Sequence, residues 1–311
     1  MSGQPYPPTA AILGGIPTTT PDVPICTVFM LLYIIGFAIH VFIFRHNMTH
    51  KTPFRLSILL IYICLFRTVT LSLRMAWITH LTNINIVIAA QVFVTAGVLL
   101  LFILNLIFAQ RLLRAMHPRV GWHIITSRLF MAYYVLVFLS LVSVITCFVQ
   151  SLYTLDPHTR QVDHVFTLYA GTFFLVAAFF PVPFVGVNYL VFMAKRKEEG
   201  GHAHGQNNDK TTDDTIQPQR PRVAGSVTNG SRVLVAGALL LTLGAGFRTG
   251  VAYSPARSAN DPAWYDSKAC FYIFNFVIEL GVIYLYAAAR VDRTFYVPAV
   301  EVERERAEGA A

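Results

Sequence analysis

Charged residues are scarce in this sequence. They make up 13% of its 311 residues, whereas a soluble globular protein carries about 25%. Apolar residues account for 55% of the chain, and the mean hydropathy is +0.55. A chain of this composition has too few polar side chains to cover its apolar surface in water. We therefore predict an integral membrane protein.

Cysteine is also scarce. The chain has four cysteines, with no Cys-x-x-Cys pair and no spacing typical of zinc ligands. Cys26, Cys147 and Cys270 are expected near the same membrane face. A disulfide between Cys26 and Cys270 and three lone intramembrane thiols are both compatible with that placement.

Several classes of membrane protein lack their required residues here. Retinal proteins need a lysine deep in the last span, and Lys268 lies only at its predicted outer end. Rhodopsin-like receptors end span three with an acidic-Arg-Tyr triplet, where this chain has Ala-Gln-Arg at 109–111. Membrane zinc hydrolases need several intramembrane ligands, and His40 is the only histidine plainly inside a predicted span. With no phosphate-binding loop or nucleophile elbow, we predict a non-enzymatic protein without metal or cofactor.

Long apolar runs fill the sequence instead. A helix needs roughly 20 residues to cross a hydrocarbon core of about 30 Å. The segments that meet this length are 23–44, 54–78, 84–109, 129–149, 165–193, 233–253 and 269–289. They predict an all-α, seven-helix membrane bundle over residues 22–293. Pro181 and Pro183 predict a kink in the fifth span.

The basic residues predict the orientation of this bundle. Most of the 24 Lys and Arg residues lie in or beside the loops after spans one, three and five and in the C-terminal tail. By the positive-inside rule the N-terminus is outside and the C-terminus cytoplasmic. We expect a disordered outer tail at 1–21, a disordered cytoplasmic loop at 195–232 and a cytoplasmic tail at 294–311. Because no basic patch forms, nucleic-acid binding is not expected.

A few charges are predicted inside the membrane. Arg67 and Arg74 are seven residues apart in span two, Arg248 is in span six, and Glu279 is near the midpoint of span seven. A charge at membrane depth is costly and is normally paired. Arg67 and Glu279 lie at matching depth, so we predict that they form an ion pair.

The two other arginines, Arg74 and Arg248, are predicted in the outer third of the membrane with no acidic residue in any span to face them. Together they would attract an anion such as a lipid phosphate or a carboxylate. Tyr272 and Asn275 share the helix face of Glu279. The predicted ligand-binding residues are therefore Arg67, Arg74, Arg248, Tyr272, Asn275 and Glu279. Two other interpretations stay open: the ion pair only locks the packing, and the outer arginines reach lipid headgroups.

Three stretches near the C-terminus carry a resemblance to known membrane proteins. They are GFRTGVAY at 246–253, DPAWYDSKACFY at 261–272 and FNFVIELGVIYLY at 274–286. The chain resembles a fungal family of multi-span membrane proteins described only as a domain of unknown function. It is more distantly similar to the fungal lipid-translocating exporter family, which is linked to aminocholesterol resistance and sphingoid-base release.

In the exporter family an arginine-rich motif accompanies a glutamate in the last span, followed by aromatic residues. Arg248, Glu279, Tyr284 and Tyr286 occupy comparable places here, while the second arginine and the acidic residue of that motif are absent after Tyr253. The resemblance implies a fungal source and a plasma-membrane location, with the vacuole or another internal membrane as the alternative.

The function predicted from these features is translocation or sensing of a lipid or another anionic amphiphile through the arginine-lined site. Membrane lipids are the expected partners. One alternative is a seven-span receptor that couples to a cytoplasmic partner through the basic loop 195–232. A second alternative is a membrane scaffold without a ligand.

Overall fold

A computed structural model describes residues 11–49, 56–204, 220–255, 257–258 and 261–295. Within these ranges the chain is helical and contains no β-strand. The segments long and apolar enough to cross a membrane are span 1 (Thr19–Thr49), span 2 (Ser57–Thr79), span 3 (Ile84–Met116), span 4 (Ile124–Tyr153), span 5 (Pro157–Lys195), span 6 (Val227–Tyr253) and span 7 (Lys268–Ala288). The predicted all-α fold and the number of spans are confirmed, and the orientation in the membrane stays a prediction.

Span 5 consists of two consecutive helices. The first, Pro157–Phe179, ends where the second, Pro181–His204, begins. Pro181 has no amide hydrogen to donate, and its ring crowds the preceding turn, so the regular helix is interrupted there. The helical hydrogen bonding resumes at once, because the amide of Phe184 donates to the carbonyl of Phe180 at 3.2 Å. The predicted break in span 5 is confirmed.

Span 7 also departs from a regular α-helix. Its first segment, Lys268–Tyr272, and its last, Ile278–Ala288, are α-helical, and Ile273–Val277 between them forms a π-helical turn. Such turns are rare and occur frequently at functional sites. This one carries Asn275, whose side chain is buried.

Helices extend into the connector that was predicted to be disordered. The second helix of span 5 continues to His204, and the helix of span 6 begins at Arg220. The prediction is therefore wrong at both ends of the loop 195–232, while its centre, 205–219, lies outside the described residues. The C-terminal tail is described only as far as residue 295, after the short helix Val291–Thr294.

The two ends of the bundle are named here by the chain ends that they carry. Residues 11–18 lie at the N-terminal face, and Val291–Thr294 lies at the C-terminal face. Residues 11–18 were expected to be disordered but are bound to the protein, since Gly14 donates its amide to the carbonyl of Asp266 at 2.9 Å. Gly14 has a φ of +81°, a conformation that favours glycine. Residues 1–10 lie outside the described part of the chain.

At the C-terminal face, span 1 is linked to the short helix Val291–Thr294 that follows span 7. Asn47 donates to Asp292 Oδ2 at 2.9 Å, and Arg290 donates to the same oxygen at 2.9 Å. Burial of Asp292 opposes its ionisation, but these hydrogen bonds and the guanidinium charge outweigh it, so the pKa of Asp292 is lowered. The carboxylate is therefore ionised at neutral pH and binds both Asn47 of span 1 and Arg290.

Span 7 occupies the centre of the bundle. In its apolar stretch 56% of residues are buried, against 22% in spans 1 and 4. Span 4 exposes large apolar side chains, including Leu129, Phe138 and Leu139. Lipid tails are as apolar as these side chains, so they can remain on the outside of a membrane bundle. The polar residues of span 7 consequently face protein rather than lipid.

Candidate ligand-binding site

Arg67 and Glu279 form the central ion pair, as their depths predicted. Arg67 Nε donates to Glu279 Oε2, and Arg67 Nη2 donates to Oε1. The side chains are 0% and 1% exposed. This two-pronged geometry satisfies both carboxylate oxygens while the two charges compensate each other. The predicted contact is confirmed, and its role in ligand binding stays a prediction.

The remaining nitrogen of the Arg67 guanidinium is bound by span 3. Nη1 donates to the backbone carbonyls of Val94 at 3.0 Å and Phe93 at 3.4 Å. Gly97 lies directly beside it, because a Cβ built on Gly97 would come within 2.6 Å of Arg67 Cζ. The missing side chain at Gly97 therefore lets the guanidinium lie against the helix.

Replacing Gly97 with alanine is expected to destabilise the protein by about 1–3 kcal/mol, because the added methyl group overpacks a buried site. Arg67 cannot move aside without breaking its hydrogen bonds to Glu279 and to the backbone carbonyls of span 3. The apparent Tm in detergent measures the effect. Gly281→Ala is the matched control, because no atom beyond its chain neighbours and its own helix backbone lies within 4 Å of its Cβ position. An equal Tm for the two alanine variants would show that Arg67 is not confined by span 3.

Arg74 is not the unmatched outer arginine that was predicted. Its Nη2 donates to Asp22 Oδ1 at 3.1 Å and to the carbonyl of Gly14 at 2.8 Å. Its guanidinium lies 4.1 Å from the ring centroid of Phe271, and the side chain is 2% exposed. The prediction is wrong because the partner of Arg74 lies outside the predicted spans: Asp22 precedes the first of them by one residue.

Asp22 is surrounded by Arg74, Lys268 and Tyr272. These four residues are called the Asp22 cluster. Lys268 Nζ and the Tyr272 hydroxyl both donate to the fully buried carboxylate, the hydroxyl at 2.6 Å. Tyr272 therefore belongs to this cluster at the N-terminal face. The cluster joins the start of span 1 to span 2 and to the start of span 7.

The cysteines are all free. Cys26 Sγ lies 3.1 Å from the Tyr272 hydroxyl, and Cys270 Sγ contacts the carbonyl of Trp264 at 3.8 Å. Of the two arrangements left open by the sequence, the structure has the unpaired thiols.

Arg248 is the predicted arginine that has no carboxylate partner among the described residues. Its Nη1 donates to Asn275 Oδ1 at 3.2 Å, and a guanidinium has five N–H donors. Both side chains line a cavity of 190 Å³ between spans 3, 4, 5, 6 and 7. The other lining groups combine hydroxyls and apolar side chains, among them Thr95, Thr167, Thr249, Val98, Leu99 and Phe102.

The π-helical turn of span 7 positions Asn275 for this contact. Asn275 Nδ2 donates to the carbonyl of Phe271 at 2.9 Å, so the amide group is held and its oxygen points to Arg248. Span 6 is held beside the cavity by Thr249, whose hydroxyl donates to the carbonyl of Gly171 at 3.0 Å. Hydrogen bonds from side chains to backbone carbonyls therefore hold both Asn275 and span 6 in place beside Arg248.

The predicted site residues thus fall into two groups. Arg248 and Asn275 line one cavity, and the Arg67–Glu279 pair lies next to it, because Val94 both lines the cavity and accepts from Arg67. Arg74 and Tyr272 belong to the separate Asp22 cluster. In the part of the chain that the structure describes, no group of three His, Cys, Asp or Glu side chains could hold a metal ion.

Comparison with known proteins gives one match. The model of a family described as "Protein of unknown function (DUF3112)" matches residues 202–296. No curated protein and no solved structure matches the chain. The matched segment contains Arg248, Asn275 and Glu279, whereas Asp22 and Arg67 lie outside it. The match agrees with the expected resemblance to a family of unknown function, and the relationship to fungal lipid exporters stays a prediction.

Proposed function

We propose that this protein is a non-enzymatic membrane protein that binds an anionic amphiphile at Arg248 and translocates or senses it. The observation that carries the proposal is the guanidinium of Arg248, which lines a cavity and has an amide as its partner where Arg67 and Arg74 have carboxylates. A phosphate or carboxylate accepts two parallel hydrogen bonds from such a group. The apolar lining would contact the first part of an acyl chain.

The charge balance favours an anion over a neutral ligand. A cation inside a membrane protein is costly unless a counter-charge is present. The carboxylate whose charge acts on Arg248 is that of Glu279, and both of its oxygens already accept from Arg67. A bound anion would supply the counter-charge that the described residues do not.

The topology predicted from the basic residues places this cavity in the outer half of the membrane. Arg248 is five residues from Tyr253, where span 6 ends at the N-terminal face. An amphiphile of the outer leaflet would then reach Arg248 with its headgroup, and membrane lipids are the proposed partners. The plasma membrane is the proposed location, with the vacuole or another internal membrane as the alternative.

The receptor alternative depends on the loop 195–232, whose centre lies outside the described residues. The Arg248 cavity is a specific feature that a ligand-binding function uses and a scaffold does not. For this reason we favour binding of an amphiphile over both alternatives.

The test is the binding of lysophosphatidic acid and of the neutral monoacylglycerol with the same chain to detergent-purified protein, measured by native mass spectrometry. Wild type is expected to prefer the anionic lipid. Arg248→Gln is expected to weaken its binding about tenfold or more, because a charged hydrogen-bonding group contributes roughly 1.5–3 kcal/mol. Arg257→Gln is the matched control, since this exposed arginine carries the same charge in an ion pair with Asp261. Equal binding of the anionic lipid by Arg248→Gln and wild type would refute the proposal.

A further inference from the structure

A buried carboxylate lies close to the Arg248 cavity, in span 5. Asp163 is 6% exposed, and its Oδ2 has no hydrogen-bond partner of normal geometry among the described residues. The Cys147 thiol lies beside it, but a thiol is only a weak donor. Leaving a buried charged oxygen without a donor costs free energy, so such an oxygen in a folded protein requires an explanation. The missing donor can come from a ligand.

Asp163 lines two cavities. Their volumes are 450 Å³ and 320 Å³. Side chains whose oxygens can accept hydrogen bonds line these cavities with it, namely Ser143, Thr146, Gln150 and Thr159 in the larger and Gln91, Ser151 and Thr167 in the smaller. The walls also hold Cys147, His158, His164 and Arg160. The surroundings of Asp163 therefore offer many acceptors.

The smaller cavity adjoins the cavity of Arg248. Thr95, Val144 and Thr167 line both of them. Asp163 and Thr167 are one helical turn apart, about 6 Å along the axis, and the Thr167 hydroxyl donates to the carbonyl of Asp163 at 2.8 Å. The carboxylate of Asp163 and the guanidinium of Arg248 thus face neighbouring cavities that share one wall.

The chemistry of these walls selects a primary ammonium group. Metal ions are disfavoured, because no group of three His, Cys, Asp or Glu ligands exists among the described residues. Quaternary ammonium groups are recognised by cages of aromatic rings, and the rings lining these two cavities besides the histidines are Phe148 and Phe166. A primary ammonium group has three N–H donors, which match one carboxylate and neighbouring hydroxyl or amide oxygens.

We propose that Asp163 binds the primary ammonium group of the ligand whose anionic group is held by Arg248. The ligand class is then a zwitterionic amphiphile with an amine and a phosphate or carboxylate in its headgroup. This inference rests on the proposed function of Arg248. It explains the buried carboxylate of Asp163 and the partly buried guanidinium of Arg248 at once, because each receives its counter-charge from the same molecule.

Arg160 is the cation of this chain that lines the same cavity. Its Nε donates to the carbonyl of Thr154 at 2.8 Å, and it forms no ion pair with Asp163. If Asp163 served only to hold Arg160, Arg160→Gln would change ligand binding as much as Asp163→Asn does.

The experiment compares the affinity of the protein for lysophosphatidylethanolamine with its affinity for the N-acetyl derivative. This derivative keeps the phosphate and loses the ammonium charge. Wild type is expected to bind the free amine about ten- to a hundredfold more tightly, the factor that corresponds to a charged hydrogen-bonding group. Asp163→Asn is expected to bind both lipids equally and Arg248→Gln to bind both weakly. Arg160→Gln is expected to keep the preference. Asp261→Asn, an exposed acidic residue at the same face, is expected to behave as wild type.

The outcomes separate the two proposals. Equal binding of the two lipids by wild type, or an unchanged preference in Asp163→Asn, overturns the role of Asp163 and leaves Arg248 supported if Arg248→Gln still weakens binding. Loss of the preference in Arg160→Gln also overturns that role. Binding that does not depend on Arg248, or no binding at all, overturns both proposals. Phosphoethanolamine without a chain is the last probe, and an affinity equal to that of the lipid would assign the site to a water-soluble zwitterion and overturn the amphiphile class.

Discussion

Replacing Glu279 with glutamine is expected to lower the free energy of unfolding by about 3–5 kcal/mol, because it leaves a buried guanidinium without its counter-charge. For a chain of this size that corresponds to a fall of roughly 5–15 °C in the apparent Tm. Arg67 cannot reach water, since it is 0% exposed and enclosed by span 3. Arg67→Met is expected to be comparably harmful, because it leaves the carboxylate unpaired. Thermal unfolding in detergent measures both losses.

The double variant Arg67→Met/Glu279→Gln distinguishes pairing from general sensitivity of the site. It removes both charges, so its loss is expected to be smaller than that of the worse single variant. The exposed pair Arg257–Asp261 is the control, because an exposed ion pair contributes only about 0–1 kcal/mol and its side chains are 54% and 79% exposed. If the loss of unfolding free energy in the double variant equals the sum of the two single losses, the two charges do not stabilise each other. A folded double variant that no longer binds lysophosphatidic acid would place the pair in the binding mechanism.

Replacing Asp22 with asparagine is expected to have a second large effect, again about 3–5 kcal/mol. The substitution removes the counter-charge of Arg74, which is 2% exposed, and of Lys268, which is 25% exposed. It also weakens the attachment of residues 11–18, because Asp22 accepts from the amide of Thr18 at 2.8 Å. A lower apparent Tm and faster hydrogen exchange in residues 11–18 are the expected measurements.

Two variants serve as controls for this result. Lys268→Met is expected to cost less than Asp22→Asn, because the carboxylate then keeps Arg74 as its counter-charge and no buried charge is left unpaired. Asp261→Asn removes an exposed acidic residue at the same face and is expected to change neither measurement. Wild-type exchange rates in residues 11–18 of Asp22→Asn would mean that the Asp22 cluster does not hold this segment.

The ion pair of Arg67 and Glu279 could be predicted from the sequence because depth in a membrane is one-dimensional. Position along an apolar run gives the depth of a residue, and a charge at mid-membrane needs a partner at the same depth. The same argument failed for Arg74, since its partner Asp22 lies at the edge of a span, where composition does not distinguish an inward-facing carboxylate from an ordinary helix N-terminal residue.

The surroundings of Arg248 could be predicted only in part. Its lack of an acidic partner was expected, and among the described residues it is confirmed. Its cavity was not expected, because spans 3, 4 and 5 contribute the walls and no pattern within one span indicates its neighbours. Asp163 could not be predicted as an intramembrane charge, because it lies before the predicted start of span five at residue 165, whereas the helix begins at Pro157.

The sequence by itself determined the class of this protein, the number of its spans, the break at Pro181 and the central ion pair. These features follow from local composition and from the cost of a charge in lipid, which act on each segment separately. Only the tertiary structure decided which arginines are neutralised, that Gly97 admits the guanidinium of Arg67, and that Arg248 and Asp163 face adjoining cavities. These features depend on which helix faces meet, and contacts between side chains far apart in the chain decide that.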